Sequence, residues 1–189
     1  MCSTTKVVAL FGRVLADFGL EPSEQRVLDL GAGSGVGGGG LRALGVGHVV
    51  ALDPEPAARQ AALRDHPGTY DGYVVGSLDA PTSELAILRE ACLTAVVALA
   101  AIGIGHVEPP ALQRALDLLE PGGLFAFAIT PALMPDSEDA VGLATGFPEL
   151  IATLLEWTEG LHEHRYIHRR RTDGSADDAV ALAGRLSGS

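Results

Sequence analysis

One segment of the chain has residue types suited to nucleotide binding, an apolar run that ends in three alternate glycines. The segment RVLDLGAGSG occupies residues 26–35 and carries Gly31, Gly33 and Gly35. An unbroken apolar run predicts a strand buried on both faces, and glycine lets the backbone turn sharply and approach a ligand closely. A glycine turn that leads into a helix is typical of nucleotide-binding sites.

The spacing of these glycines limits the kinds of nucleotide that fit. The dinucleotide fingerprint G-x-G-x-x-G requires a glycine at position 36, where this chain has Val36. The phosphate-loop endings Gly-Lys-Ser and Gly-Lys-Thr do not occur in the sequence. The pattern therefore argues against a pyrophosphate or triphosphate ligand.

Two carboxylates follow later apolar segments. HVVALDPEP, residues 48–56, places Asp53 22 positions after Gly31, where a carboxylate can accept both hydroxyls of a ribose. Asp53 also precedes Pro54, a residue suited to the first helical position, so helix capping is a second role open to it. Asp79 ends the segment YVVGSLD and, taken alone, is typical of a turn.

His106 is the best candidate for a catalytic base. It lies in GIGHVEPP, residues 103–110, directly after a fourth apolar segment, and histidine can accept a proton near neutral pH. A loop-holding hydrogen bond is the alternative role. Glu108 is a second candidate base, or the cap of a helix that begins at Pro109.

A second group of histidines occurs near the C-terminus. His162, His164 and His168 alternate along a predicted strand, so they should face one side, a geometry able to bind a metal. Four arginines share that segment, and their charge disfavours a bound cation. We expect a solvated polar face or a cluster that binds an acidic group, and no metal. The arginines are Arg165, Arg169, Arg170 and Arg171.

The elements around these residues alternate between strand and helix periodicity, which predicts a parallel sheet with helices on both faces. An amphipathic helix is expected over Thr4–Gly19, and a ligand-side loop over Pro131–Gly146. Strands are predicted at 26–30, 48–52, 73–76, 93–99, 123–129, Leu161–Arg170 and Ala179–Leu186, the last two joined by a turn at Thr172–Ser175. Helices are predicted at 36–44, 55–65, 82–90, 109–120 and Phe147–Trp157.

Four segments in register resemble the motifs of the class I S-adenosylmethionine-dependent methyltransferases. They are the glycine turn, the strand ending at Asp53, the segment ending at Asp79, and LLEPGGLFAFAIT at 118–130. The resemblance covers roughly Arg26 to Thr130. It implies an α/β, doubly wound, seven-stranded, mostly parallel sheet with helices on both faces and a C-terminal antiparallel hairpin.

The resemblance also implies a cofactor, S-adenosylmethionine, with S-adenosylhomocysteine as the product. In this family the residue matching Asp53 holds the ribose, and the residue matching Asp79 contacts the adenine amino group, with Leu78 and Ala80 near the ring. A histidine near cofactor and acceptor is common at the position of His106. The residues expected at the cofactor are Asp29, Gly31, Ala32, Gly33, Gly35, Asp53, Pro54, Leu78, Asp79, Ala80 and Ala100.

The length and net charge of the chain limit the number of domains and the kinds of molecule that it can bind. The 189 residues suit a single domain, with a leading helix and short lid at 1–25 and the core at 26–189. A net charge of −11 argues against nucleic acid, whose binding requires Lys and Arg. No signal peptide or membrane span is expected, and Cys2 and Cys92 suggest neither a disulfide framework nor a zinc site. A cytoplasmic protein with a small-molecule substrate follows, with a homodimer possible because the lid is short.

The sequence thus favours methyl transfer to an oxygen or nitrogen of a small-molecule metabolite. A non-methylating S-adenosylmethionine-binding protein of the same fold, either a structural partner or a cyclase, is the alternative. A nucleic-acid methyltransferase would carry an Asn or Asp, Pro, Pro, aromatic motif, and AAIGIGHVEPP at 100–110 lacks it. The glycines of GVGGGG at 35–40 predict a helix start that frays or orders on cofactor binding.

Overall fold

The strand that precedes the glycine turn lies at the middle of a seven-stranded sheet. The structure is a computed structural model and describes residues 3–79 and 86–187. Its strands are β1 (Arg26–Leu30), β2 (His48–Asp53), β3 (Gly72–Val75), β4 (Leu93–Ala98), β5 (Leu119–Ile129), β6 (Thr158–Arg170) and β7 (Ala176–Leu186). Its helices are α1 (Ser3–Asp17), α2 (Val36–Leu44), α3 (Pro56–Asp65), α4 (Ala86–Glu90), α5 (Pro109–Leu116), α6 (Ala140–Leu143) and α7 (Phe147–Glu156).

The strand order is β3-β2-β1-β4-β5-β7-β6. The first five strands are parallel, β7 runs antiparallel to β5, and β6 forms a hairpin with β7. Because β1 pairs with β2 on one side and β4 on the other, the order reverses at β1, and the crevice outside its carboxyl end is where ligands bind in such sheets. The predicted fold class is confirmed.

Apolar residues on each face of the sheet pack against helices. On one face Leu28 and Phe125 belong to a buried cluster with Leu112 of α5 and Ile151 of α7. On the other face a separate cluster joins Val27, Val97 and Leu124 to Phe11 of α1 and Leu41 of α2. A parallel sheet covered on both faces explains why its strands have continuous apolar runs. Within the described ranges, no helix is long and apolar enough to cross a membrane.

Several element boundaries differ from the sequence prediction, among them the starts of β6 and β7, which each lie three residues earlier than expected. Helix α5 ends at Leu116, four residues before the predicted end, and β5 begins at Leu119, four residues before the predicted start, and continues through the Pro-Gly-Gly segment at 121–123. That segment is a bulge, because the β4–β5 register moves from Leu93↔Leu119 to Ala95↔Leu124 and Gly122 has φ +76°. The predicted loop at 131–146 contains the short helix α6. Helix α4 is described over Ala86–Glu90, and the earlier part of the predicted helix lies outside the described residues.

The glycines at the start of α2 were expected to let the helix fray, yet the helix is regular from Val36. We attribute this regularity to the packing of the glycines against neighbouring side chains. A Cβ added to Gly38 would lie 2.5 Å from the ring of Tyr70, and one added to Gly37 would lie 2.5 Å from the side chain of Leu99. The glycines therefore allow α2 to approach the sheet closely. Gly39 is different, since an added Cβ there would meet nothing within 4 Å.

Candidate cofactor site

The glycine turn after β1 is fastened to the end of β2. The backbone N–H groups of Gly31 and Ala32 donate to the carbonyl of Leu52 at 2.8 and 3.2 Å. Gly31 has φ +71°, and a Cβ there would lie 2.2 Å from Cβ of Ala101, so glycine is required for the loop after β4 to pass beside the turn. The turn is therefore positioned by two neighbouring strands.

Asp53 connects the two turns that border the site. Its Oδ2 accepts the N–H of Gly33 and its Oδ1 accepts the N–H of Glu55, both at 2.9 Å. Helix α3 begins at Pro56 with Glu55 as its cap residue, so the expectation that Pro54 opens the helix is wrong by two residues. A carboxylate has about four acceptor positions, so Asp53 can accept further donors such as ribose hydroxyls.

Asp29 lies beneath the turn and is almost completely buried. The hydroxyl of Tyr70 donates to its Oδ2 at 2.7 Å, and that hydroxyl accepts the N–H of Gly38 at 3.3 Å. Burial raises the pKa of Asp29 to about 6, against the lowering effect of the Tyr70 hydrogen bond. Asp29 therefore anchors the start of α2 from within the protein.

Sequence reasoning did not single out Tyr70 and Tyr73. Tyr73 donates its hydroxyl to the carbonyl of Gly33 at 2.7 Å, and its ring meets that of Tyr70 edge to face at a centroid distance of 5.6 Å. Burial raises the pKa of both hydroxyls well above the usual value, so both stay protonated donors. Tyr73 lies in β3 and Tyr70 lies just before it. Because β3 pairs with β2, this position could have indicated both residues, but only once the strand order is known.

Asp79 lies at the opposite end of the same crevice. Its carboxylate accepts the hydroxyl of Ser77 at 3.1 Å, and an Nη1 atom of Arg114 lies 3.7 Å from its Oδ1. The same Nη1 donates to the carbonyl of Leu78 at 2.7 Å, so α5 fixes this segment. Ala80, the third residue expected near the adenine, lies outside the described residues.

The loop between β4 and α5 carries both candidate bases. His106 is exposed, and its backbone N–H donates to the carbonyl of Gly103 at 3.1 Å. Glu108 Oε1 accepts the N–H of Gly105 at 2.6 Å, so this carboxylate holds the loop that presents His106. The structure therefore gives Glu108 a partner in its own loop and places His106 in the lining of a cavity.

A cavity of about 470 Å³ joins these groups at the carboxyl ends of β1, β2 and β4. Seven of the predicted site residues line this cavity. Five others do not: Asp29, Ala32, Gly33, Gly35 and Glu108. The predicted residues in the lining are Gly31, Asp53, Pro54, Leu78, Asp79, Ala100 and His106. The remaining lining residues are Leu30, Leu52, Glu55, Gly76, Ser77, Ala101, Gly105, Val107 and Ala111.

The lining fits a nucleoside that carries a positive charge. Asp53 and Asp79 supply acceptors for ribose hydroxyls and an amino group, and Leu78 supplies apolar surface for a flat ring. Glu55 is a third carboxylate, and among the described lining residues there is no lysine or arginine to neutralise a pyrophosphate. The volume lies in the range typical of small-molecule sites. S-adenosylmethionine, whose sulfonium is cationic, matches this chemistry better than a dinucleotide.

A second cavity of about 520 Å³ adjoins the first, and Ala100 lines both. Ala100 is exposed and has φ +79°, a left-handed conformation that costs alanine about 1 to 2 kcal/mol. Such strained residues cluster at functional sites. The other residues of the second cavity are Ile102, Ala128, Ile129, Thr130, Pro131, Ala132, His168, Ala176, Asp177, Asp178 and Ala179.

The histidines of β6 do not face one side as predicted. His162 Nε2 contacts Asp17 at 2.7 Å, and His164 Nε2 lies 3.4 Å from Lys6 Nζ, so both meet α1. The β6–β7 register shifts between Ile167 and Arg169, which makes His168 the extra residue of a bulge, and His168 lines the second cavity. In the parts of the chain that the structure describes, no group of His, Cys, Asp or Glu could hold a metal ion.

The expected binding of an acidic group by the β6 arginines loses support, because three of the four face carboxylates. Arg165 meets Asp136 at 3.0 Å, and Asp177 accepts from both Arg169 and Arg171, at 2.9 and 2.6 Å. These ion pairs stabilise the hairpin and leave those guanidinium groups occupied.

Comparison with known proteins identifies the family. A family model described as a methyltransferase domain matches residues 28–127, more than half of the chain, and the chain belongs to this family. No curated protein sequence matches the chain. The resemblance to the class I S-adenosylmethionine-dependent methyltransferases is confirmed, and S-adenosylmethionine is the cofactor of that class.

Several solved structures share the fold. The N-methyltransferase NodS from Bradyrhizobium japonicum in complex with S-adenosylhomocysteine superposes with a TM-score of 0.62 at 17% identity, over 97% of this chain and 85% of that chain. The plantazolicin methyltransferase BpumL, also with S-adenosylhomocysteine, gives 0.60 at 9% identity, over 97% and 84%. The tRNA (m1A58) methyltransferase TrmI from Aquifex aeolicus gives 0.59 at 17% identity, over 99% and 69%. Both small-molecule and RNA enzymes therefore share this architecture.

Proposed function

We propose that this chain binds S-adenosylmethionine in the cavity beside Asp53 and transfers a methyl group to an oxygen or nitrogen of a small molecule. The observation that carries the proposal is the pair of adjoining cavities, one lined by the carboxylates of Asp53 and Asp79 and the other reached past Ala100. A cofactor and an acceptor need two such adjacent volumes, because direct displacement requires the reacting atoms to be aligned at close range.

Two carboxylates of the lining hold the cofactor. Asp53 accepts the ribose hydroxyls while its bonds to Gly33 and Glu55 keep the carboxylate oriented. Asp79 accepts the adenine amino group, with Ser77 and Arg114 fixing its position. When bound, S-adenosylmethionine supplies a methyl group on a positively charged sulfur. The acidic lining favours that charge.

The acceptor must lose a proton when the attacking atom is a hydroxyl or a protonated amine. His106 is the residue that we assign to accept it, because it lines the first cavity and is exposed. Glu108 acts as a positioning residue through its bond to Gly105.

A small-molecule acceptor is favoured over RNA by charge. The net charge of −11 opposes a polyphosphate backbone, and β6, the most basic strand, has most of its arginines paired with carboxylates. The described residues that line the second cavity include no lysine or arginine. We propose a single cytoplasmic domain acting on a metabolite, with dimerisation as the means of covering the open side of the cavities.

Calorimetric titration with S-adenosylhomocysteine and with NAD tests the cofactor assignment. We expect S-adenosylhomocysteine to bind in the micromolar range or tighter and NAD not to bind measurably, because Asp53, Glu55 and Asp79 repel a pyrophosphate. Asp79→Ala should weaken S-adenosylhomocysteine, and Asp117→Ala, on the far end of α5, is the matched control. Micromolar NAD affinity would overturn the assignment. Tight cofactor binding with no methyl transfer to any acceptor in a metabolite extract would favour the non-methylating alternative.

A further inference from the structure

The lining of the second cavity is mostly apolar, with negatively charged residues at one end, a feature that the proposed function does not use. Its floor and walls are mostly alanine and isoleucine, among them Ile102, Ala128 and Ile129. Its carboxylate residues are Asp177 and Asp178 of β7, consecutive residues whose side chains point to opposite faces of the strand. A ligand of this cavity must therefore be largely apolar.

The two carboxylates differ in how far they are already neutralised. Asp177 accepts hydrogen bonds from Arg169 and Arg171, which holds the pKa of its carboxyl below the usual value. Asp178 is exposed, and its carboxylate has no hydrogen bond or ion pair to any described residue. Asp178 is therefore the uncompensated charge of the cavity.

The sheet order sets the distance between this charge and the cofactor cavity. Ala100 follows β4, Asp178 lies on β7, and β5 separates the two strands. Two strand spacings place them roughly 10 Å apart across the sheet. A molecule bound between them spans the cavity, with one end at Asp178 and the other at Ala100, beside the first cavity.

Strand β6 contributes a histidine to the lining, next to the strand that carries Asp178. The bulge at Ile167–Arg169 places His168 in the lining, beside the register pair Ile167↔Asp178. Bulges of this kind redirect a side chain next to binding sites. The apolar middle, the free carboxylate and the redirected histidine together form a site with two distinct ends.

We propose that Asp178 selects an elongated, apolar acceptor with an ammonium group at one end and the atom to be methylated at the other. The inference rests on the proposed function for the identity of the neighbouring cavity. An exposed carboxylate and an ammonium attract each other modestly, so the selection should amount to roughly fivefold in affinity.

Three probes with one shape and different charge test the selection. The three probes share a phenol with a two-carbon substituent in the para position. The substituent ends in an ammonium in tyramine, in a hydroxyl in tyrosol and in a carboxylate in 4-hydroxyphenylacetate. Titration of each into the full chain, with and without saturating S-adenosylhomocysteine, gives the affinities. Methyl NMR of Ile102 and Ile129 reports whether the probe occupies the second cavity, with buried Ile151 as the internal reference.

We expect tyramine to bind about fivefold more tightly than tyrosol and 4-hydroxyphenylacetate to bind most weakly. Asp178→Asn should remove that preference, and Glu90→Gln, which removes one charge at the end of α4, just before β4, should preserve it. Ala176→Trp, at an exposed lining position, should weaken all three probes. Equal binding of tyramine and tyrosol, or an unchanged preference in Asp178→Asn, would overturn the inference.

The two proposals fail separately. If S-adenosylhomocysteine does not bind but the tyramine preference persists, the proposed cofactor function falls and the charge selection by Asp178 stands. If S-adenosylhomocysteine binds and the preference is missing, the cofactor function stands and the selection by Asp178 is wrong.

Discussion

Asp53 Oδ2 accepts the backbone N–H of Gly33 at 2.9 Å, which ties the carboxylate at the end of β2 to the glycine turn after β1. This hydrogen bond couples the position of the glycine turn to that of the Asp53 carboxylate. A change at either residue should therefore affect both the orientation of the carboxylate and the path of the turn.

Asp53→Ala should weaken S-adenosylhomocysteine binding by about 1.5 to 3 kcal/mol, the scale for losing hydrogen bonds to a charged group. Calorimetry measures the affinity, and thermal unfolding of the same sample separates ligand loss from loosening of the turn. Glu55→Gln is the control, because Glu55 lines the same cavity and its backbone N–H still reaches Asp53. Unchanged affinity in Asp53→Ala would remove Asp53 from the site.

His106→Ala should lower methyl-transfer turnover by roughly 10² to 10⁴ and leave cofactor affinity nearly intact. Methyl-transfer assays and calorimetry on the same sample measure turnover and cofactor affinity separately. Glu108→Gln should retain most activity, since an amide oxygen can still accept the N–H of Gly105. Normal turnover in His106→Ala would exclude His106 as the base.

Asp29 should make stability depend on pH. Its folded pKa of about 6 lies above the usual 3.8, so its protonated form stabilises the fold fully below about pH 4, and that stabilisation is lost as pH rises through 6. The difference corresponds to about 3 kcal/mol. We expect urea unfolding to show Asp29→Asn gaining stability relative to the wild type between pH 4 and 7. A constant difference across that interval would contradict the prediction.

Tyr70→Phe provides a second check on the same group. The Tyr70 hydroxyl lowers the pKa of Asp29 by donating to Oδ2 at 2.7 Å, so its removal should raise that pKa further. The pH interval over which stability falls should then move upward in urea unfolding experiments. An unchanged interval would show that the Tyr70 hydroxyl does not lower the pKa of Asp29.

Gly38 and Gly39 should respond oppositely to alanine. Gly39→Ala should stabilise the protein by about 0.5 to 1 kcal/mol, since the added methyl meets nothing and alanine favours the helix. Gly38→Ala should destabilise it, because its Cβ would lie 2.5 Å from the Tyr70 ring. Denaturant unfolding of both variants measures the difference. Equal effects would mean that α2 packs on Tyr70 less closely than described.

The class of fold and the cofactor were predictable from the sequence because the signals are local. An apolar run followed by Gly31 and Gly33 specifies a buried strand and a tight turn within ten residues, and Asp53 ends the next strand at a fixed interval. Parallel strands bring their carboxyl ends to one edge, so these residues had to meet.

Tertiary structure alone decided which residues support that edge and where an acceptor fits. Tyr70 reaches Asp29 because β3 pairs beyond β2, and His168 enters the second cavity through a register shift between β6 and β7. Pairing and register depend on contacts between residues far apart in the chain, and a bulge reverses the facing that alternation predicts. The charge of Asp178 is likewise unpaired because Arg169 and Arg171 bind its neighbour Asp177, a pairing that the sequence does not specify.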